Sequence, residues 1–74
     1  MKKTVQKLEE KASALKAEFE QIIEDRESYY DDRSEKWQES EKGEAYQEIT
    51  DTLQGVVEGF ESALSDLESA IDLM

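Results

Sequence analysis

The chain contains no cysteine, no histidine and no proline, and only three glycines among its 74 residues. Without cysteine or histidine, the sequence has no disulfide and lacks the usual zinc and copper ligands. The nucleophile–histidine pairs of common hydrolases are excluded as well. We therefore expect a protein that is not an enzyme and that binds neither a cofactor nor a metal ion. The shortage of helix-breaking residues leaves long, uninterrupted helices open to the chain.

Long apolar runs are also missing. The basic start, Met1-Lys2-Lys3, resembles the first part of a signal peptide, but Glu9 and Glu10 stand where its apolar segment should follow. No stretch approaches the roughly 20 apolar residues of a membrane span. We therefore expect no membrane contact and a cytoplasmic location.

Negative charge dominates the composition, since 20 acidic residues against nine basic ones give a net charge of −11. The excess is uneven: residues 1–42 hold all nine bases and 12 acids, whereas residues 43–74 hold eight acids and no base. Nucleic-acid binding usually needs a basic stripe, so we expect no direct contact with DNA or RNA. The acidic half could attract a basic protein surface, imitate the charge of DNA, or serve solubility alone.

Apolar positions recur at helical spacing in both halves. Steps that alternate between three and four residues predict an α-helix with a heptad seam in each half. A flanking row at seven-residue steps widens each face: Ile23, Tyr30 and Trp37 in the first half, and Val57, Leu64 and Ile71 in the second. The predicted seams are Val5, Leu8, Ala12, Leu15, Phe19, Ile22, Arg26, Tyr29 and Arg33, and then Tyr46, Ile49, Leu53, Val56, Phe60, Ala63, Leu67, Ala70 and Met74.

The break between the two helices falls between Gln38 and Glu44. Ser40 is a predicted N-cap, whereas Gly43 offers the competing interpretation of a left-handed residue that ends a helix. We predict one all-α domain over residues 1–74, an antiparallel two-helix hairpin with helix 1 over about 3–38, a turn over about 39–43 and helix 2 over about 44–73. A single uninterrupted helix is disfavoured because each internal glycine costs about 1 kcal/mol relative to alanine.

A hairpin alone would leave part of each wide apolar face in water, because two helices share only one seam. We therefore expect a homo-oligomer, most simply a dimer that forms a four-helix bundle, with trimers or larger rings as alternatives. The lysines of the first turns would lie beside the acidic end of helix 2. Pairing between these two ends would fix the antiparallel register.

The candidate binding residues gather near the turn, where four of the six aromatic residues accompany two arginines. Arginine beside tyrosine and tryptophan suits stacking on a base and bidentate contact with phosphate. The same residue types are enriched in protein hot spots, and they could also merely cap the bundle. The candidate residues for binding a partner or ligand are Arg26, Tyr29, Tyr30, Arg33, Trp37 and Tyr46.

Two smaller features have structural and functional interpretations. Gly55 and Gly59, four residues apart, favour close packing against another helix, with room for a ligand or a bend as the alternative. The acid pairs Glu24-Asp25 and Asp31-Asp32 are better explained as solvated residues than as an ion site, because adjacent helical residues point about 100° apart.

The segment from Ser34 to Tyr46, SEKWQESEKGEAY, resembles a segment of small uncharacterised proteins of tailed phages. No activity is assigned to that group, so the resemblance assigns no role to any residue. It implies a phage context, in which small acidic proteins often antagonise host machinery by masking a protein or by sequestering a nucleotide signal.

Three functions fit these features. The favoured hypothesis is a small acidic binding protein that inhibits or sequesters a host protein through its helical surface, as a host-defence antagonist does. The alternatives are an oligomeric sponge for a nucleotide-like anion and a purely structural, self-assembling protein.

Overall fold

The computed structural model describes all residues, 1–74, and consists of helices without any strand. Two long helices, α1 (Lys2–Asp31) and α3 (Glu41–Leu73), are joined by the short helix α2 (Glu35–Gln38). They run antiparallel side by side, since the rings of Phe19 and Phe60 lie 5.7 Å apart while Gln54 donates to Glu27 at 2.9 Å. The hairpin measures 54 × 14 × 12 Å. The predicted all-α class and the pairing of two long helices are confirmed.

The seam between α1 and α3 follows a heptad pattern, but it is shifted from the predicted one. The residues that α1 and α3 turn toward each other are half-buried or buried, and their spacing alternates between four and three. We call these residues the inner rows: Val5, Glu9, Ala12, Lys16, Phe19, Ile23, Arg26 and Tyr30 on α1, and Tyr46, Thr50, Leu53, Val57, Phe60, Leu64, Leu67 and Ile71 on α3.

Half of the predicted seam is instead exposed. Its large apolar side chains outside the inner rows are 39–54% exposed, and Ala63 is exposed as well. A pair of helices covers only one side of each, so of two adjacent apolar rows only one can face the partner helix. We call the uncovered set the open apolar face: Leu8, Leu15, Ile22 and Tyr29 on α1, and Ile49, Val56 and Ala63 on α3.

The open apolar face lies on one side of the hairpin. Each of its residues immediately precedes an inner-row residue, as Leu15 precedes Lys16 and Val56 precedes Val57. A step of one residue back turns a right-handed helix by about 100°. Because α1 and α3 are antiparallel, this turn carries both exposed rows toward the same side. The hairpin therefore has one apolar side, which extends from the level of Leu8 to that of Tyr29.

The first long helix ends at Asp31, earlier than the predicted residue 38, because side chains of the connection bond its backbone. The Nε2 atom of Gln38 donates to the carbonyl oxygens of Tyr30 at 2.8 Å and Arg33 at 3.2 Å. The Ser34 hydroxyl accepts from the backbone nitrogen of Trp37 at 3.2 Å, which starts α2. These local hydrogen bonds compete with the backbone hydrogen bonds of a continuous helix. They also compensate for the backbone bonds that are lost where the helix is interrupted.

The predicted N-cap at Ser40 is present, whereas Gly43 differs from the left-handed residue considered above. The Ser40 hydroxyl accepts from the backbone nitrogen of Gly43 at 3.3 Å, and the backbone at Ser40 is extended. Gly43 lies within the first turn of α3, and no residue of the chain has a positive φ. Its lack of a side chain serves a close approach instead, since a Cβ atom there would lie 2.2 Å from the carbonyl oxygen of Trp37.

Removal of this cap by Ser40→Ala is expected to lower the free energy of unfolding by about 1 kcal/mol, because an early N–H group of α3 loses its acceptor. Urea unfolding followed by circular dichroism at fixed protein concentration measures the change. Ser62→Ala, at an exposed position inside α3, is the control and should leave stability equal or slightly higher. Equal stability of both variants would show that the cap contributes nothing.

None of the helices has the combination of length and apolar character that crossing a membrane requires.

Candidate functional site

The structure brings the four predicted aromatic residues together at the turn end of the hairpin. Trp37 on α2 is the centre of the cluster, with ring centroids 6.1 Å from Tyr29, 6.0 Å from Tyr30 and 5.7 Å from Tyr46. Tyr29 and Tyr46 are also in contact, at 5.3 Å. Most of these pairs meet edge to face, the arrangement that the ring quadrupoles favour. Together they close the end of the seam where α1, α2 and α3 meet.

Arg26 lies within this cluster and directs its donors into the chain. Its Nε atom donates to the hydroxyl of Thr50 at 2.9 Å, and Nη2 donates to the carbonyl oxygen of Tyr46 at 3.0 Å. Its guanidinium carbon lies 3.9 Å from the centroid of the Tyr46 ring, a cation–π contact. An arginine in a heptad seam is therefore accommodated by hydrogen bonds between the helices. These contacts favour a structural role for Arg26 over contact with a ligand.

Arg33 occupies the outer side of the same cluster. Its guanidinium carbon lies 5.0 Å from the Trp37 centroid and 5.5 Å from the Tyr29 centroid, and its side chain is exposed. It forms no ion pair in the chain. Of the two predicted arginines, Arg33 is thus the one whose hydrogen-bond donors face solvent. No cavity opens beside it, since the three cavities of the hairpin are lined by other residues.

Two residues outside the predicted set, Thr50 and Gln38, support this cluster. Thr50 is 1% exposed, and its hydroxyl both accepts from Arg26 and donates to the carbonyl oxygen of Tyr46 at 3.2 Å. Gln38 ties α2 to the end of α1. A signal for Thr50 was present, because it is the one hydroxyl in the row that continues with Val57 and Leu64. Nothing in the local sequence marks Gln38.

A second surface lies on the side of the hairpin opposite the open apolar face. A groove of about 400 Å³ runs there between α1 and α3, above the buried side chains of Ile23 and Val57. Its walls carry only one amide, Gln54, among carboxylates. We call it the acidic groove, and its five carboxylates belong to Glu20, Glu24, Glu27, Glu58 and Glu61.

Compensation of this negative charge within the chain is limited to one lysine. Lys16 contacts Glu20 at 3.4 Å and Glu61 at 3.5 Å. These are the only ion pairs of the hairpin, so the predicted pairing of the first-turn lysines with the acidic end of α3 is not formed within the chain. Glu24 and Glu58 have no basic partner. The groove is therefore a concentrated negative surface that can attract cationic groups.

The glycine pair has no packing partner within the hairpin, and of the acidic pairs only Asp25 has a side-chain partner, accepting from Nε2 of Gln21 at 3.0 Å. A Cβ atom added at Gly55 or Gly59 would find no atom within 4 Å, so the close packing expected there does not involve α1. No group of three or more acidic side chains comes together in a way that could hold a metal ion.

Comparison with protein-family models, with curated proteins and with solved structures finds no match to this chain.

Proposed function

We propose that this chain is a non-enzymatic binding protein that occupies a basic surface of a partner protein through its acidic groove, and so inhibits or sequesters that partner. The observation that carries the proposal is the segregation of charge: five carboxylates line one groove with a single lysine beside them. This surface needs no chemistry to act. It contributes through complementary charge, which raises the association rate and selects the partner.

Physical magnitudes support a protein partner with several basic groups over a single cation. An exposed ion pair contributes only about 0.2–1 kcal/mol, so a single lysine or arginine on the partner would not give a stable complex. Several pairs formed at once, together with relief of repulsion among the glutamates, give useful affinity. In this proposal the partner is a host protein, because residues 34–46 resemble a segment of tailed-phage proteins, and the complex forms in the host cytoplasm.

Self-association is part of the proposal. The chain buries only two apolar side chains, Ile23 and Val57, while the open apolar face stays in water. Exposed apolar surface of this extent favours association. A dimer that forms a four-helix bundle covers it and keeps the acidic grooves outside.

The test is affinity capture from host lysate with two matched variants. Glu24→Lys/Glu58→Lys reverses two charges that line the groove, and Glu39→Lys/Glu48→Lys reverses two exposed charges outside it. The groove variant is expected to lose at least about tenfold in affinity for the captured protein, equivalent to about 1.4 kcal/mol. The control variant should keep its affinity within about threefold.

Two results would contradict the proposal. Equal losses in both variants would show that net charge, and not the groove, attracts the partner. Capture that is unchanged between about 0.05 and 0.5 M salt would show that the contact is not electrostatic, because the screening length shrinks across that range.

A further inference from the structure

The open apolar face has the dimensions of the core of a protein interface. It spans Leu8 to Tyr29 on α1, about 32 Å at 1.5 Å per residue, on a hairpin 14 Å wide, and so covers about half of the roughly 800 Å² that each partner contributes to a stable interface. The polar rows that border it supply the rim. The large side chains of this face stand at regular heptad positions on both helices. A surface of this regularity fits other helices of the same spacing.

On each helix, the angle between the inner row and the row of the open apolar face matches the geometry of a four-helix bundle. Adjacent residues such as Ile22 and Ile23 point about 100° apart, and Ile23 already packs against α3. In a bundle with helices at the corners of a square, each helix meets two neighbours at about a right angle. Each helix of the hairpin therefore packs against one neighbour in its own chain through its inner row. Its row of the open apolar face points toward the position of a second neighbour.

The charges that border this face allow a second copy to approach. The row three residues beyond the open apolar face carries Lys11, Glu18 and Asp25 on α1, and Thr52, Gly59 and Asp66 on α3. The carboxylates of the acidic groove lie on the opposite side of the hairpin. Two copies can thus meet without bringing those grooves together.

We propose that a second copy of this chain covers the open apolar face, with both turns at the same end and α1 of each copy packed against α3 of the other. This inference deepens the dimer of the proposed function by naming its face and arrangement. A twofold axis parallel to the helices keeps residues of equal height opposite each other. Leu15 then faces Ala63 of the second copy, and Ile22 faces its Val56.

Repulsion between the two Glu18 side chains and the space at Gly59 favour this arrangement over the one with turns at opposite ends. Height is fixed by the contact of Lys16 with Glu61, so Lys11 stands level with Asp66 and Glu18 with Gly59. Each copy therefore gains a Lys11–Asp66 pair, and each Glu18 faces a glycine. With turns at opposite ends, Lys11 would face Asp25 of the second copy, so the number of ion pairs would be equal, but Glu18 would face its own counterpart. The exposed Gly59, which has no neighbour within 4 Å in the hairpin, thereby receives a role.

The first test is sedimentation equilibrium on the full chain. The protein should have twice the chain mass, and Ile22→Glu should weaken the dimer at least about a hundredfold, because it places a charge at the centre of an apolar interface. Ala17→Glu, which adds the same charge at an exposed position outside the open apolar face, should leave the dimer intact. A monomer, or equal weakening by both variants, would overturn the proposal.

Cross-linking then tests the arrangement and does not depend on the folding of Ile22→Glu. The chain has no cysteine, so introduced thiols react without background. A thiol cross-linker of about 8 Å reach, longer than a disulfide permits, should join Glu18→Cys chains to Gly59→Cys chains when the two are mixed. Each variant alone should remain unlinked. Linkage of each variant to itself, or no linkage in the mixture, would overturn the arrangement.

This inference and the proposed function can fail separately. Loss of capture in the groove variant with an intact dimer supports both. A monomer that still captures its partner through the groove overturns the inference alone, and a correctly linked dimer without charge-dependent capture overturns the function alone.

Discussion

Arg26→Ala is expected to lower the free energy of unfolding by about 3 kcal/mol, one of the largest effects of a single substitution in this chain. The guanidinium group donates to Thr50 and to the backbone of Tyr46, and hydrogen bonds from a charged donor contribute about 1.5–3 kcal/mol each when buried. Partial exposure of Arg26 reduces that value, while the contact with the Tyr46 ring adds about 0.5–1 kcal/mol. Urea unfolding at fixed protein concentration measures the loss.

Arg33→Ala is the matched control, since it removes the same residue type from the same cluster. Arg33 contacts the rings of Trp37 and Tyr29 but has no hydrogen bond to the chain, so its loss should cost less than about 1 kcal/mol. It should also leave the oligomer intact. Equal effects of the two substitutions would show that the hydrogen bonds of Arg26 add no stability beyond ring contact.

Gly43→Ala is expected to destabilise the hairpin by about 2–3 kcal/mol, although alanine is the better helix former. The new methyl group would lie 2.2 Å from the carbonyl oxygen of Trp37 and 2.6 Å from that of Gln38. Both atoms belong to the backbone, so α2 must move away from α3 to make room. Thermal and urea unfolding measure the loss of stability. A smaller change in tryptophan fluorescence on unfolding than in the unsubstituted protein reports that Trp37 has moved within the cluster.

Gly55→Ala provides the comparison within the same helix. A Cβ atom there would meet nothing within 4 Å, so the substitution should gain up to about 1 kcal/mol from helix propensity alone. Opposite signs for the two glycines are therefore expected. Stabilisation by Gly43→Ala would show that the turn can relax without loss.

The helical class could be predicted from the sequence because the apolar spacing extends over both halves without proline. The sequence does not determine which of two adjacent apolar rows forms the seam between α1 and α3. Ile22 and Ile23 are both apolar and adjacent, and periodicity does not distinguish a row that packs within the chain from one left for another chain. Ile22 was predicted in the seam and Ile23 in the flanking row, whereas Ile23 is the buried residue.

The candidate site was predicted in composition but not in its contacts. The four aromatic residues meet as expected, because the turn brings together the ends of both helices. The hydrogen bonds of Arg26 depend on which residue of α3 stands at its height, and that height follows from the length of the turn. A connection containing a separate short helix is not readable from spacing alone, since it depends on the side chain of Gln38 bonding the backbone of Tyr30.

The position of the aromatic cluster beside the turn also bears on the order in which the chain folds. Contacts between Arg26 and Tyr46 close a segment of only 20 residues. If Phe19 and Phe60 met first, the closed segment would be about twice as long. Each doubling of the loop length costs about 0.6 kcal/mol more in chain entropy. Pairing of α1 and α3 is therefore expected to start at the turn and to proceed away from it. The parts of α1 and α3 farthest from the turn, near Val5 and Ile71, are expected to pair last and to separate first.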